Sequence, residues 1–81
     1  MEIFPNPSHG NTCIPVATLS SVKADVSLYD IFGRKIQTIF NGMLKKGDNK
    51  FFLNSVGITP GVYLVTLISD GQHKTGKLVI R

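Results

Sequence analysis

The chain has 81 residues, room for one domain (1–81) and no second one, and a domain this short leaves little slack for strained catalytic geometry. Hydrophobic residues make up 42% and charged residues 17%, a balance that suits a globular fold and argues against disorder. The net charge is +4, from nine Lys and Arg against five Asp and Glu, and the basic residues are scattered, which reads as solubility before it reads as an anionic partner.

No segment carries sustained helical periodicity; short β-rich runs are punctuated by Gly, Pro, Asn and Asp. The first run is Glu2-Ile3-Phe4. Met1 to Phe4 lack the basic and apolar regions of a signal peptide, so the chain is expected to be either intracellular or a piece of a longer secreted protein. Pro5-Asn6-Pro7 ends the run as a rigid turn, because two prolines fix φ and remove N–H donors. The second run is Thr12 to Leu19, where Pro15 suggests an edge strand or a bulge. Cys13, the single cysteine, excludes an internal disulfide and a CxxC zinc site and is read as a small buried hydrophobe. Ser20 to Lys23 are expected to form a loop.

Asp25 to Tyr29 form the third strand, with Ala24, Val26 and Leu28 alternating against Asp25 and Ser27 to give one buried face. Asp30-Ile31-Phe32-Gly33-Arg34 reads as a type I turn with a G1 bulge, Asp30 accepting backbone N–H bonds and Gly33 taking positive φ. Lys35 to Phe40 return, with Ile36 and Thr38 on one face and Gln37 and Ile39 on the other. Asn41-Gly42 is a turn signal, Met43-Leu44 a short apolar pair over an end of the sandwich, and Lys45 to Asp48 a solvated loop. Asn49 to Asn54 form a strand with Phe51 and Leu53 facing one way and Phe52 the other. After the turn Thr59-Pro60-Gly61, Val62 to Ile68 is apolar on both faces and so is placed centrally. Asp70-Gly71 is the strongest hairpin signal, and His73 to Arg81 is the partner strand. The expectation is an all-β, immunoglobulin-like β-sandwich of about seven antiparallel strands. No stretch is long and apolar enough to span a bilayer.

Chemistry is hard to find in this pattern. His9 and His73 lack a partner that the turns do not already explain, and Asp25, Asp30, Asp48 and Asp70 sit in turns or at strand starts. There is no D-x-D calcium loop, no phosphate-binding glycine loop and no basic stripe with stacking aromatics for nucleic acid. No enzyme, cofactor or metal is expected, and composition alone leaves a small binding or targeting module.

Three motifs in order carry a resemblance. The first is Phe4-Pro5-Asn6-Pro7 with Gly10-Asn11 behind it. The second is Val26-Ser27-Leu28-Tyr29-Asp30-Ile31-Phe32-Gly33-Arg34. The third is Pro60-Gly61-Val62-Tyr63 followed by Gly71, Lys74, Gly76 and Lys77-Leu78-Val79-Ile80-Arg81. Together they resemble the C-terminal sorting domains of the type IX (Por) secretion system, over nearly the whole chain. Phe4 departs from the family's usual Tyr, and Ile58-Thr59-Pro60 from a frequent Leu-Pro-Ser.

The resemblance implies a transport signal at the end of a larger cargo protein, N-terminal to this domain. The cargo reaches the periplasm of a Gram-negative bacterium, and the outer-membrane secretion machinery recognises the folded domain. A sortase-like peptidase usually removes it, at or before its start, and cargo is released or attached to the cell surface. Recognition is expected on the last strand, at Lys74, Gly76, Lys77, Leu78, Val79, Ile80 and Arg81, with Gly61 and Tyr63 beside them. Leu78 and Ile80 differ in parity from Lys77, so a core role stands beside a contact role for both. Tyr63 is read as a packing residue with its hydroxyl tied to a loop. The rival readings are a fibronectin-like or carbohydrate-binding accessory module of a secreted enzyme, disfavoured by the lack of Trp, and a spacer between domains.

Overall fold

The computed structural model of the chain describes residues 10–81. Among them are six strands: β1 (Asn11–Thr18), β2 (Val22–Asp30), β3 (Lys35–Leu44), β4 (Gly47–Asn54), β5 (Gly61–Ser69) and β6 (Gln72–Ile80). They form two antiparallel sheets, a four-stranded one in the order β3-β2-β5-β6 and a two-stranded one of β1 and β4. The fold class is the expected all-β sandwich of immunoglobulin-like type, with six strands rather than about seven. The remaining expected run, residues 2–4, lies outside the described residues, as do the proline turn and His9.

Alternation decides which side chains enter the space between the sheets. From the small sheet Ile14, Val16 and Leu53 point inward; from the large sheet Ala24, Val26, Leu28, Leu44, Tyr63, Val65, Leu67, Leu78 and Ile80 meet them. β5 takes the central position its two-sided apolarity suggests, between β2 and β6. Pro15 lies on β1, whose one strand partner among the described residues is β4. An edge strand tolerates the missing N–H.

The turns follow their residues closely. Gly33 has φ 85° and its N–H reaches the Asp30 carbonyl at 3.1 Å, while Asp30 N–H reaches the Arg34 carbonyl at 3.0 Å. Those two bonds make the expected type I turn with a bulge. Asp70 and Gly71 both take positive φ, 47° and 77°, the mark of a two-residue primed hairpin turn.

The structure corrects several local expectations. Asn41-Gly42 is not a turn: both residues lie within β3, opposite Asp25 and Ala24. The reason is packing, since a Cβ at Gly42 would sit 3.2 Å from Phe40 Cζ, and the bare glycine leaves room for that ring. Phe40 in turn stacks on Phe51 of β4 with centroids 4.5 Å apart, where the chain passes from the large sheet to the small one. Met43 and Leu44 therefore extend β3 instead of forming a separate cap, with Leu44 buried and Met43 exposed. The simple alternation expected for Lys35 to Phe40 also fails. The pairing of β2 with β3 skips Ile39 and then Ile36, two bulges in one strand. Cys13 is half-buried, not buried, because its parity turns it away from Ile14. Leu19 lies beyond the end of β1 and is exposed, whereas Val22 and Lys23, expected in a loop, open β2.

Asn49 performs a task that its sequence position does not announce. Its side-chain oxygen accepts from Lys45 N–H at 3.1 Å, and its amide donates to the carbonyls of Lys45 at 2.9 Å and Val16 at 3.3 Å. One side chain thus holds the β3–β4 connection and ties it to β1.

Candidate functional site

The residues singled out on the last strand and on β5 are brought together by direct pairing. Gly61 lies opposite Ile80, Val62 opposite Val79, Tyr63 opposite Leu78, Leu64 opposite Lys77 and Val65 opposite Gly76. β2 continues the rows: Tyr29 is opposite Leu64, and Asp30 opposite Tyr63. The second and third motifs, far apart in sequence, therefore occupy three adjacent strands.

Parity divides this cluster into two layers. Gly76, Leu78, Ile80 and Tyr63 face the interior; Leu78 is 0% exposed and Ile80 3%. Lys77 and Val79 lie on the opposite face of the sheet, Lys77 exposed and Val79 half-buried, in rows with Tyr29, Leu64 and Val62. Lys35 places its Nζ 5.9 Å from the centre of the Tyr29 ring, so the row Lys35–Tyr29–Leu64–Lys77 has a cation at each end and an aromatic-aliphatic middle. Arg81 follows β6 and is exposed. Lys74 is set apart from Lys77. It shares the interior-facing parity and lines an open cleft of about 330 Å³ with Val16, Leu19, Leu67, Ser69 and Asp70.

Tyr63 closes the layer beneath. Its hydroxyl donates to the Thr59 carbonyl, joining β5 to the turn before it, as expected. Tyr63→Phe keeps the ring and removes this bond. It is expected to cost roughly 0.5–1.5 kcal/mol in urea unfolding, and an unchanged midpoint would show that the hydroxyl contributes nothing.

Asp30 organises the neighbouring hairpin. Its carboxylate accepts from Phe32 N–H and Arg34 N–H, each at 2.9 Å, and pairs with Arg34 Nε at 2.7 Å. The Arg34 N–H bond leads in holding this carboxyl below its ordinary value, against the opposing cost of burial. Asp25 is lowered as well, first by the Ser27 hydroxyl and then by the Asn41 amide. Both carboxylates are committed to local structure. Among the described residues no group of His, Cys, Asp and Glu is placed to hold a metal ion, and no helix is long and apolar enough to cross a membrane.

The arrangement is a folded display: a tight interior layer under a strand whose outward side chains are basic and apolar. A family profile described as "Secretion system C-terminal sorting domain" matches residues 2–81. The chain belongs to that family. A sorting domain of this kind is the C-terminal signal for type IX secretion cargo, which favours the transport reading over an accessory binding module. The family is one of sorting signals, and its role implies a cargo N-terminal to the domain and an outer-membrane export system of a Gram-negative cell. No curated protein and no solved structure matches the chain.

Within the sorting domain, the β2–β3 and β5–β6 hairpins and their turn residues were readable in the sequence; the row that runs from Lys35 to Lys77 was not. Its only sequence signal is the period-2 placement of Tyr29, Leu64 and Lys77 on strands whose register is not itself written in the chain.

Proposed function

We propose that the type IX machinery reads this domain on the outward face of β6 and its neighbours: Lys77, Val79 and Arg81, flanked by Val62 and Leu64 of β5, with Lys74 a separate contact further back along β6 on the other face. Gly76, Leu78, Ile80, Gly61 and Tyr63 hold that face in shape from beneath. The whole chain, 1–81, acts as one sorting domain without catalysis of its own. A sortase-like peptidase then removes it, and cargo is released or attached to the cell surface.

The observation that carries this reading is the register of β5 and β6. It sets the interior residues of the third motif against one another and turns Lys77 and Val79 outward. Charge on a half-apolar face favours selective contact with a partner of opposite potential.

The test is export of a reporter with a periplasmic signal peptide and this domain at its C-terminus, in hosts with and without an intact type IX system. Reporter is expected outside the first cell and trapped in the second; retention in both, with the domain folded, would overturn the reading. Within the exporting host, Lys77→Arg is expected to preserve export. Lys77→Glu is expected to reduce it about tenfold, the equivalent of ~1.4 kcal/mol of lost binding, with Tm held. Undiminished export of Lys77→Glu would remove Lys77 from the recognition face.

A further inference from the structure

The β2–β3 hairpin tip is built to stay rigid and to expose two large apolar side chains. Ile31 is 63% exposed and Phe32 78%. A turn of this geometry needs its acidic first residue and its glycine; it has no use for an isoleucine and a phenylalanine between them. The backbone N–H groups of Phe32, Gly33 and Arg34 are all engaged by Asp30, through its carboxylate or its carbonyl. Arg34 reaches back along the same tip, its Nε on Asp30 and its guanidinium 5.6 Å from the centre of the Phe32 ring. Its side chain is still 75% exposed.

We propose that this tip is a second docking element of the sorting signal, which seats Ile31 and Phe32 in an apolar socket, rimmed by carboxylates, on a protein of the outer-membrane translocon. The proposal rests on the sorting reading and adds a contact separate from the β6 face. Three properties favour a protein socket. The tip loses little conformational entropy on docking, because its backbone is fixed beforehand. Aromatic and arginine side chains at the centre of an interface carry most of its binding energy. The guanidinium beside the ring brings a charge that an acidic rim matches. A lipid surface fits less well: two apolar side chains and a single arginine fall short of the basic cluster that holds a protein on anionic lipid. A two-fold, tip-to-tip pair of copies would set one Arg34 against another.

The experiment uses Ile31→Ser combined with Phe32→Ser, and Phe32→Leu as the conservative partner. The folded tip holds neither apolar side chain in the core, so Tm is expected to hold in all of them. Wild-type domain, co-expressed in the periplasm of a type IX host, is expected to compete with export of the reporter fusion. The double serine variant is expected to need about thirtyfold more protein for the same inhibition, and Phe32→Leu to compete nearly as well as wild type. The chain has no Trp, so Phe32→Trp gives a single reporter on the tip. Its emission is expected to shift to the blue with detergent-solubilised translocon and to stay unchanged with vesicles of anionic phospholipid. Equal competition by the double serine variant, or no shift with translocon, overturns the proposal. A shift with vesicles overturns it in favour of lipid insertion. If the wild-type reporter leaves cells with and without a type IX system alike, the sorting reading fails and the tip proposal falls with it. If wild-type export depends on type IX and the serine variant competes as well as wild type, the tip proposal alone fails.

Discussion

Leu78→Ala is expected to cost about 2–5 kcal/mol, a large part of the whole stability of the domain. A chain of 81 residues has on the order of 4–12 kcal/mol in total at ordinary values per residue. Leu78 is fully buried opposite Tyr63, and the surrounding core draws residues from both sheets. Removing its branched end leaves a cavity that two sheets held by backbone pairing cannot readily close. The measurement is the urea midpoint together with reporter export. A core role lowers the midpoint sharply and lowers export because less domain is folded. A contact role would abolish export with the midpoint unmoved, and that result would return Leu78 to the recognition face. The same reasoning changes how the strand should be probed. Truncating Val79 to Arg81 removes Ile80, a core residue, so point variants of the outward residues are the informative ones.

Acid is expected to weaken the domain through two carboxylates. Asp30 and Asp25 both sit below their ordinary value of 3.8 in the folded chain, Asp30 chiefly through Arg34 N–H and Asp25 chiefly through the Ser27 hydroxyl. A depressed folded pKa contributes stability that is present above the unfolded value and is lost as pH falls through the folded one. Tm is therefore expected to be level near neutrality and to drop below about pH 4. Asp30→Asn and Asp25→Asn together should flatten that drop. Asp30→Ala should lower Tm at neutral pH as well, because the tip N–H groups lose their shared acceptor. An acid limb as steep in the double Asn variant as in wild type would assign it to other groups.

Most of the architecture was legible because local chemistry and pattern agree in this chain. Asp30 and Gly33 form the turn their types demand, Asp70-Gly71 makes a tight hairpin, and the alternation in β2 and β6 places Leu28, Leu78 and Ile80 inside. Asn41-Gly42 misled because a glycine beneath an aromatic ring has the same letter as a glycine in a turn; only the fold brings Phe51 to stack on Phe40. The alternation of β3 misled because a bulge is a property of a pair of strands, and no single strand announces it. Of the candidate site, the nearness of Gly61 and Tyr63 to the last strand was legible and the layering only partly so. Parity hinted that Leu78 and Lys77 part company, but the sharing of one row by Lys35, Tyr29, Leu64 and Lys77 needed the register of four strands.

The two bulges in β3 have a bearing on life in a crowded compartment. β3 forms one side of the four-stranded sheet, and a sheet side with evenly spaced donors and acceptors is a template for polymerisation. Skipping Ile39 and Ile36 breaks that spacing twice, so only Phe40 to Leu44 keeps a regular run. An incoming flat strand meets an interrupted ladder beyond that run. Folded copies of the domain thus offer one another a weaker template for zipping together along this side.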